Sequence, residues 1–291
     1  MTEGTGEPSL VSVVIPAKNS AQTIGAQLDA LANQTYSSAW ELILADNGSS
    51  DTTVQLALDH QGVAERLRVV DASGTPGAAH TRNVGAAAAR GDRLLFCDAD
   101  DVVSAGWIET LVGGLDDEPV VCGPYELYDL NPPWLAEMRG PQRLNKPQMW
   151  GPVALFAAGN LGVHRELFDA VGGFDTTFVG HEDHELALRF YDAGHNAHHM
   201  PTAVVHYRYR SEARTLFRQG LHYGGSHPAL MVAARPYGFA MPPRVEWRPW
   251  AWLVIRAGKL RTRQGRLQYL WVLSCRLGRI QGSIRERVLY I

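Results

Sequence analysis

Leu10-Val-Ser-Val-Val-Ile-Pro-Ala-Lys-Asn19 opens the chain's first patterned stretch, and its first six residues are a short, β-branched apolar run in which Ser12 is the one polar residue. A run this short, without polar alternation and stopped by Pro16, reads as a strand buried on both faces. Ile24, Leu28 and Leu31 follow at helical spacing behind a cap at Asn19 or Ser20. Trp40 to Ala45 repeats the strand pattern and ends in the turn-rich Asp46-Asn-Gly-Ser-Ser-Asp51, after which a helix runs to about His60. Leu67 to Val70, Ala78 to Ala89 and Arg93 to Cys97 then predict strand, helix and strand. Alternation at this pace specifies βαβ units and a mainly parallel sheet, which binds ligands beyond the carboxyl ends of its strands.

The polar clusters Pro16–Asn19, Asp46–Asp51 and Asp98–Asp101 all fall at such strand ends. Beyond them the pattern is mixed. Val120 to Tyr128 predicts a strand, 131–152 a long loop, Glu182 to Ala193 a helix and Ala203 to Tyr207 a strand. Helices follow, broken near Pro228, Pro236 and Pro242-Pro243.

Length and composition narrow the possibilities. The 291 residues are 45% hydrophobic and 20% charged, enough for a substantial core and unlike a disordered or collagenous chain. Three scattered cysteines, Cys97, Cys122 and Cys275, have neither disulfide nor metal-ligand spacing and fit a reducing cytosol. The polar start, Met1 to Pro8, reads as neither signal peptide nor anchor, and no apolar run nears the roughly 20 residues that span a bilayer. Charge is uneven: residues 244–291 hold 11 Lys and Arg against 2 acids, while the rest holds 16 against 28. Those basic residues are interleaved with Trp250, Trp252, Leu253 and Trp271, the composition of a helix lying on an anionic membrane surface. The competing arrangement is a helical lid on the catalytic part. No nucleic-acid module is present, so no nucleic-acid partner is expected.

Two clusters carry chemistry. Asp98-Ala-Asp100-Asp101 sets three carboxylates directly after a strand, with Asp98 and Asp100 on one side of an extended segment. Such crowding calls for a cation between the carboxylates, and hard oxygen donors suit Mg²⁺ or Mn²⁺. Capping of the next helix by Asp101 or Ser104 is the alternative. Gly172-Gly-Phe-Asp175 precedes Glu182-Asp183, where Asp183 shares a helix face with Leu186 and Ala187 and so points inward. A carboxylate there could accept a proton from a substrate hydroxyl, although acids also favour a helix's first turn for electrostatic reasons alone.

In sequence order, Pro16-Ala-Lys-Asn19, Asp46-Asn-Gly-Ser49, Thr81-Arg82-Asn83-Val-Gly85, Leu95-Phe-Cys-Asp98-Ala-Asp100-Asp101, Gly172-Gly-Phe-Asp175 and Glu182-Asp183 resemble the family 2 glycosyltransferases, inverting enzymes of the GT-A fold. The resemblance runs from about Leu10 to Gly225. It implies an α/β fold in which a Rossmann-like nucleotide-binding sheet merges with an acceptor-binding half, here followed by a C-terminal helical extension. The expected division is a flexible 1–9, a nucleotide-sugar half at 10–120, an acceptor and catalytic half at 121–235 and a basic extension at 236–291.

Carried over by position, Pro16, Ala17 and Asn19 would line the base pocket, with Asp46 or Asn47 bonding base or ribose and Arg82 near base or phosphates. Asp98 would face ribose or metal, Asp100 would ligate Mg²⁺ or Mn²⁺, and His206 would be a further ligand. Asp183 would be the general base and Glu182 its orienter or an acceptor contact. The implied reaction moves one sugar from a nucleotide-diphosphate donor, UDP-linked in the first instance, to a hydroxyl of a glycan, lipid or small molecule. The implied setting is cytoplasmic, with peripheral attachment to the inner face of the plasma membrane through the extension. Lys18 replaces a frequent stacking aromatic and Asn47 a frequent second acid. The Gln-x-x-Arg-Trp pattern of processive synthases is absent, which favours single addition over polymerisation. The basic stretch His206, Arg208, Arg210, Arg214 and Arg218 could hold a diphosphate or an anionic acceptor.

Overall fold

Adjacent residues of the first strand face opposite layers of core, which is why its sequence shows no polar alternation. Val14 packs with Ile43, Leu94 and Phe96 on one side, and Val13 and Ile15 with Leu42, Leu44 and Leu95 on the other. All of these are fully buried. Each such side chain contributes about 1.5–3 kcal/mol on leaving water, so the strand's register is strongly fixed.

The computed structural model describes residues 10–139, 148–239 and 245–291. The expected flexible N-terminus, the middle of the 131–152 loop and the Pro242-Pro243 break lie outside the described residues.

The strands are β1 Val11–Ala17, β2 Trp40–Asp46, β3 Leu67–Asp71, β4 Arg93–Cys97, β5 Val102–Val103, β6 Val120–Cys122, β7 Tyr125–Glu126, β8 Gln148–Trp150, β9 Val153–Leu155, β10 Asn160–His164, β11 His198–His199 and β12 Val205–His206. The helices are α1 Ile24–Ala32, α2 Thr53–Leu58, α3 Ala78–Ala88, α4 Trp107–Leu115, α5 Pro133–Ala136, α6 Arg165–Ala170, α7 Glu182–Asp192, α8 Ala213–Ala233, α9 Trp247–Ile255 and α10 Arg263–Arg285. The main sheet has the order β11-β6-β10-β4-β1-β2-β3. β4, β1, β2 and β3 are mutually parallel, whereas β10 runs antiparallel to both β4 and β6. A small sheet, β5-β12-β7, stands beside it.

Where the structure departs from expectation, the cause is local. β1 runs through Pro16, because pairing with β4 has already ended at Val14 and no partner there needs the missing N–H. α1 is entered at Thr23, not at Asn19 or Ser20; Asn19 adopts φ 52° and its Oδ1 instead accepts from the Ser50 amide at 2.8 Å. The strand expected over Val120 to Tyr128 breaks into β6 and β7 at Gly123-Pro124, where the backbone passes so close to the Ala203 carbonyl that a side chain at Gly123 would collide with it. The 131–152 stretch contains α5, a 3₁₀ turn and β8. α8 continues through Pro228, whose ring lies against Gly282.

α8 and α10 meet backbone to backbone. Methyl groups at Gly224 and Gly278 would collide with the carbonyls of Cys275 and Leu221 respectively. The basic C-terminal segment is thereby packed onto the preceding part of the fold through α8. No helix among the described residues is long and apolar enough to cross a membrane.

Candidate active site

The segment Thr81-Arg82-Asn83-Val84-Gly85 does three jobs from one turn of α3. Gly85 lets the helix press on β1, where a methyl would collide with Val14. Asn83 clamps the Gly172-Gly-Phe174 turn, donating to the Phe174 carbonyl at 2.7 Å and accepting from its amide at 2.9 Å. Arg82, 5% exposed, reaches inward between the two acidic motifs. Its Nη2 donates to Asp98 Oδ1 at 2.7 Å and its Nη1 to Glu182 Oε1 at 3.0 Å. Burial alone would lower its pKa, but the Asp98 and Glu182 carboxylates outweigh that and raise it. Residues 82, 98 and 182, far apart in sequence, are thus one ion-paired unit.

The turn after β4 is held from below. Fully buried Gln27 donates Nε2 to the Asp98 carbonyl at 3.1 Å and accepts from the Val103 amide at 3.0 Å. From above, Arg208 donates its amide to Asp101 at 2.8 Å and its Nε to the Asp100 carbonyl at 3.0 Å. Gln27 escaped sequence reading because it lies on the apolar face of α1, three residues from Ile24. Gln27→Leu leaves both backbone groups without partners, costing about 1–3 kcal/mol each. Urea unfolding should register that loss, together with weaker Mn²⁺ binding.

Asp98, Asp100 and Asp101 bring carboxylate oxygens within 4.8 Å of one another. Burial, then the neighbouring carboxylates, raises the pKa of Asp100 and Asp101. One Asp101 oxygen is buried without a partner. A set of crowded, desolvated hard oxygens fits Mg²⁺ or Mn²⁺. His206 is not brought into that group: its Nδ1 lies 2.9 Å from Asp129 and 3.5 Å from Glu126, forming a separate cluster.

Two clefts meet at Arg82 and Asp98. The first, about 660 Å³, is lined by Pro16, Ala17, Asn19 and Asn47 on one side and Asp100, Arg208 and Arg210 on the other. Asn47 is largely committed already, its amide nitrogen donating to the Ala72 and Thr75 carbonyls and its oxygen accepting from Lys18. Asp46 accepts from the Ser49 amide at 3.0 Å through Oδ2, its Oδ1 is buried without a hydrogen-bond partner among the described residues, and it is not part of the cleft lining. Of the residues expected at the base pocket, Asp46 is therefore the one the structure does not bring to the cleft.

The second cleft, about 510 Å³, contains Glu182 and Asp183. The Asp183 carboxylate is held by the His184 amide at 2.8 Å and the Ala158 amide at 3.4 Å, with Leu186 and Ala187 buried on its helix face as the spacing required. Burial, then the Asp183 charge, raises the Glu182 pKa, against the pull of Arg82. The far wall comes from α8 and α10, as in the helical-lid arrangement of the C-terminal segment, with Tyr223, His227, Trp271, Arg276 and Arg279 facing the cleft rather than solvent.

His227 stacks on Tyr290 at 5.0 Å, and burial followed by the nearby Arg279 charge holds its pKa at about 3. It is neutral in the fold yet takes a proton in the unfolded chain below about pH 6.5, so stability falls as pH drops from there towards 3. His227→Phe should remove one proton from that dependence, about 1.4 kcal/mol per pH unit, in chemical denaturation measured across this range.

Residues 12–172 match the profile of glycosyl transferase family 2, and residues 94–277 that of glycosyl transferase family group 2. Glycosyltransferase GlyG of Streptococcus pneumoniae is 34% identical over 122 residues, covering 41% of this chain and 40% of its own. This chain spans under half the length of the first curated relatives it matches. The mannosyltransferase PcManGT of Pyrobaculum calidifontis, solved with GDP-Man and Mn²⁺, superposes with a TM-score of 0.64 at 21% identity, over 95% of this chain and 88% of that one. TarS 1–349 of S. aureus, solved with UDP, superposes with a TM-score of 0.56 at 18% identity, over 95% and 91%. Both likenesses establish the GT-A fold.

Proposed function

This chain belongs to glycosyl transferase family 2, and from that premise we propose that it moves one sugar from a nucleoside-diphosphate donor, UDP-linked in the first instance, to an acceptor hydroxyl with inversion. One observation carries the reading: Arg82 ion-pairs with both Asp98 and Glu182, so the carboxylates suited to a divalent ion and those suited to proton transfer border a common junction.

In this reading the nucleotide occupies the cleft of Pro16, Ala17 and Asn19. Arg208 and Arg210 lie beside the acidic turn and face the diphosphate. Mg²⁺ or Mn²⁺ held by Asp98 and Asp100 would neutralise negative charge on the diphosphate. Asp183 takes the proton of the acceptor hydroxyl, and that oxygen bonds to the anomeric carbon from the face opposite the diphosphate. The bond from anomeric carbon to phosphate oxygen breaks, the nucleoside diphosphate leaves, and no covalent enzyme intermediate is needed. Glu182, fixed by Arg82, holds the first turn of α7 in register with Asp98.

A panel of UDP- and GDP-sugars, scored by thermal shift and nucleotide release with Mn²⁺, Mg²⁺ or EDTA, tests this. Metal-dependent stabilisation and turnover with one nucleotide are expected; no response to any donor would refute the reading.

Peripheral attachment to an anionic membrane is part of the proposal. On and beside α9, Trp247, Val254 and Ile255 are 67%, 78% and 76% exposed, next to exposed Arg248, Arg256 and Arg261. The full chain should float with anionic vesicles, and Trp247→Ser combined with Ile255→Ser should leave most of it in the soluble fraction. Equal flotation of both would defeat this attachment.

A further inference from the structure

Arg276 and Arg279 stand on neighbouring turns of α10 and both line the cleft that holds Asp183. Their side chains are only 9% and 12% exposed. Both lean on the same oxygen, Oε2 of Glu246, at 3.2 and 2.6 Å. Among the described residues, two guanidinium groups thus share a single carboxylate. Among the described residues Arg276 Nε is buried with no hydrogen-bond partner. Arginine does not relieve such crowding by losing its proton. Burial, then the charge of Arg276, lowers the pKa of Arg279, the direction expected where positive charge is in excess. An uncompensated buried charge is costly, so a wall of this kind is matched by an anion that arrives from outside.

The surroundings narrow the ligand further. Tyr223 and Trp271 meet edge to face at 6.0 Å in the same cleft, offering ring surfaces for an apolar or sugar body. Donor phosphates have their own cations, Arg208 and Arg210, in the other cleft. The surplus charge of α10 belongs to the acceptor side.

We infer that Arg276 and Arg279 form an anion subsite for the acceptor, so that the hydroxyl presented to Asp183 belongs to a molecule bearing a phosphate or carboxylate group. The inference rests on the transferase reading given above. Glu246 serves as the stand-in that the acceptor's anion displaces or shares.

Calorimetric titration of the full chain in EDTA, with glucose 1-phosphate, glucuronate and methyl glucoside as probes, tests it. At least one charged probe should bind 10-fold or more tightly than the neutral glycoside, and the tighter of the two names the anion. Arg276→Gln and Arg279→Gln should each weaken that probe about 10-fold and leave the neutral one unchanged. Glu246→Gln should tighten it several-fold, whereas a purely structural bridge predicts no gain. Equal binding of charged and neutral probes, indifference to Arg279→Gln, or weaker binding in Glu246→Gln would overturn the inference. Stabilisation of each variant by Mn²⁺ with the nucleoside diphosphate confirms an intact donor site. Loss of that response in the parent chain would instead strike the transferase reading.

Discussion

Asp183→Asn should lower sugar transfer by about 10²- to 10⁴-fold while donor binding stays within about twofold of the parent. The amide is nearly isosteric: its single oxygen can keep accepting from the His184 amide, and only the longer bond from the Ala158 amide, 3.4 Å to the other oxygen, is given up. What it loses is the capacity to take a proton. In the proposed reading donor affinity is set in the other cleft, lined by the strand ends and the acidic turn, so it should be spared. Single-turnover transfer and nucleotide titration, run side by side, separate the two effects. Transfer at the parent rate would show that another group removes the proton.

Arg82→Met is the second large effect, and it falls on stability and donor binding together. The side chain is 6% exposed and its partners Asp98 and Glu182 are 28% and 14% exposed. Removing the shared cation leaves two carboxylates facing each other across a partly desolvated junction, a change that costs about 3–5 kcal/mol in buried pairs. Methionine preserves most of the packing against Phe174, whose ring the guanidinium overlies at 5.5 Å, so the loss is electrostatic rather than a cavity. Without Arg82, burial and Asp183 raise Glu182 further, and the variant should recover stability as pH falls towards the ordinary carboxylate range. Arg82→Lys keeps the charge but cannot fork to two carboxylates, and should fall between parent and methionine variant. Denaturant melts of the three proteins at pH 5 and pH 7.5 check both the order and the sign.

The parallel half of the sheet was legible because β1, β2 and β4 are buried on both faces and therefore wrote mainly apolar runs, the buried Ser12 and Glu41 bonding to each other across β1 and β2. Their strand-end motifs marked where ligands meet the sheet. β10 wrote no such signal: Asn160-Leu-Gly-Val-His164 is short, and its key residue is polar. Buried Asn160 accepts from Trp107 Nε1 at 2.8 Å and donates to the Pro124 and Ala203 carbonyls, an arrangement that only the fold assembles. The pairing of Arg82 with Glu182 joins residues 100 apart and had no local signature. His206 sits one β-bridge from Val102, yet its ring faces Glu126 and Asp129, so resemblance could name the residue but not its neighbours.

The C-terminal segment divided in a way that composition could not. Its arginines and tryptophans are on both sides: α9 leaves Trp247 and Ile255 in solvent, while α10 turns Trp271, Arg276 and Arg279 into the cleft. The signal for the second was in the sequence as Gly220 and Gly224 on one helix and Gly278 and Gly282 on the other. Glycines four apart on two helices mark a close crossing, and the charge pattern hid it.

Anomalous diffraction from crystals soaked with Mn²⁺ and the nucleotide sugar chosen by the donor panel addresses the central claim most directly. The expected map has one Mn²⁺ peak coordinated by Asp100, with Asp98 on the same nucleotide and the anomeric carbon open towards Asp183. A Mn²⁺ peak at Glu126, Asp129 and His206 instead, or a sugar lying with Asp183 out of reach, would contradict it.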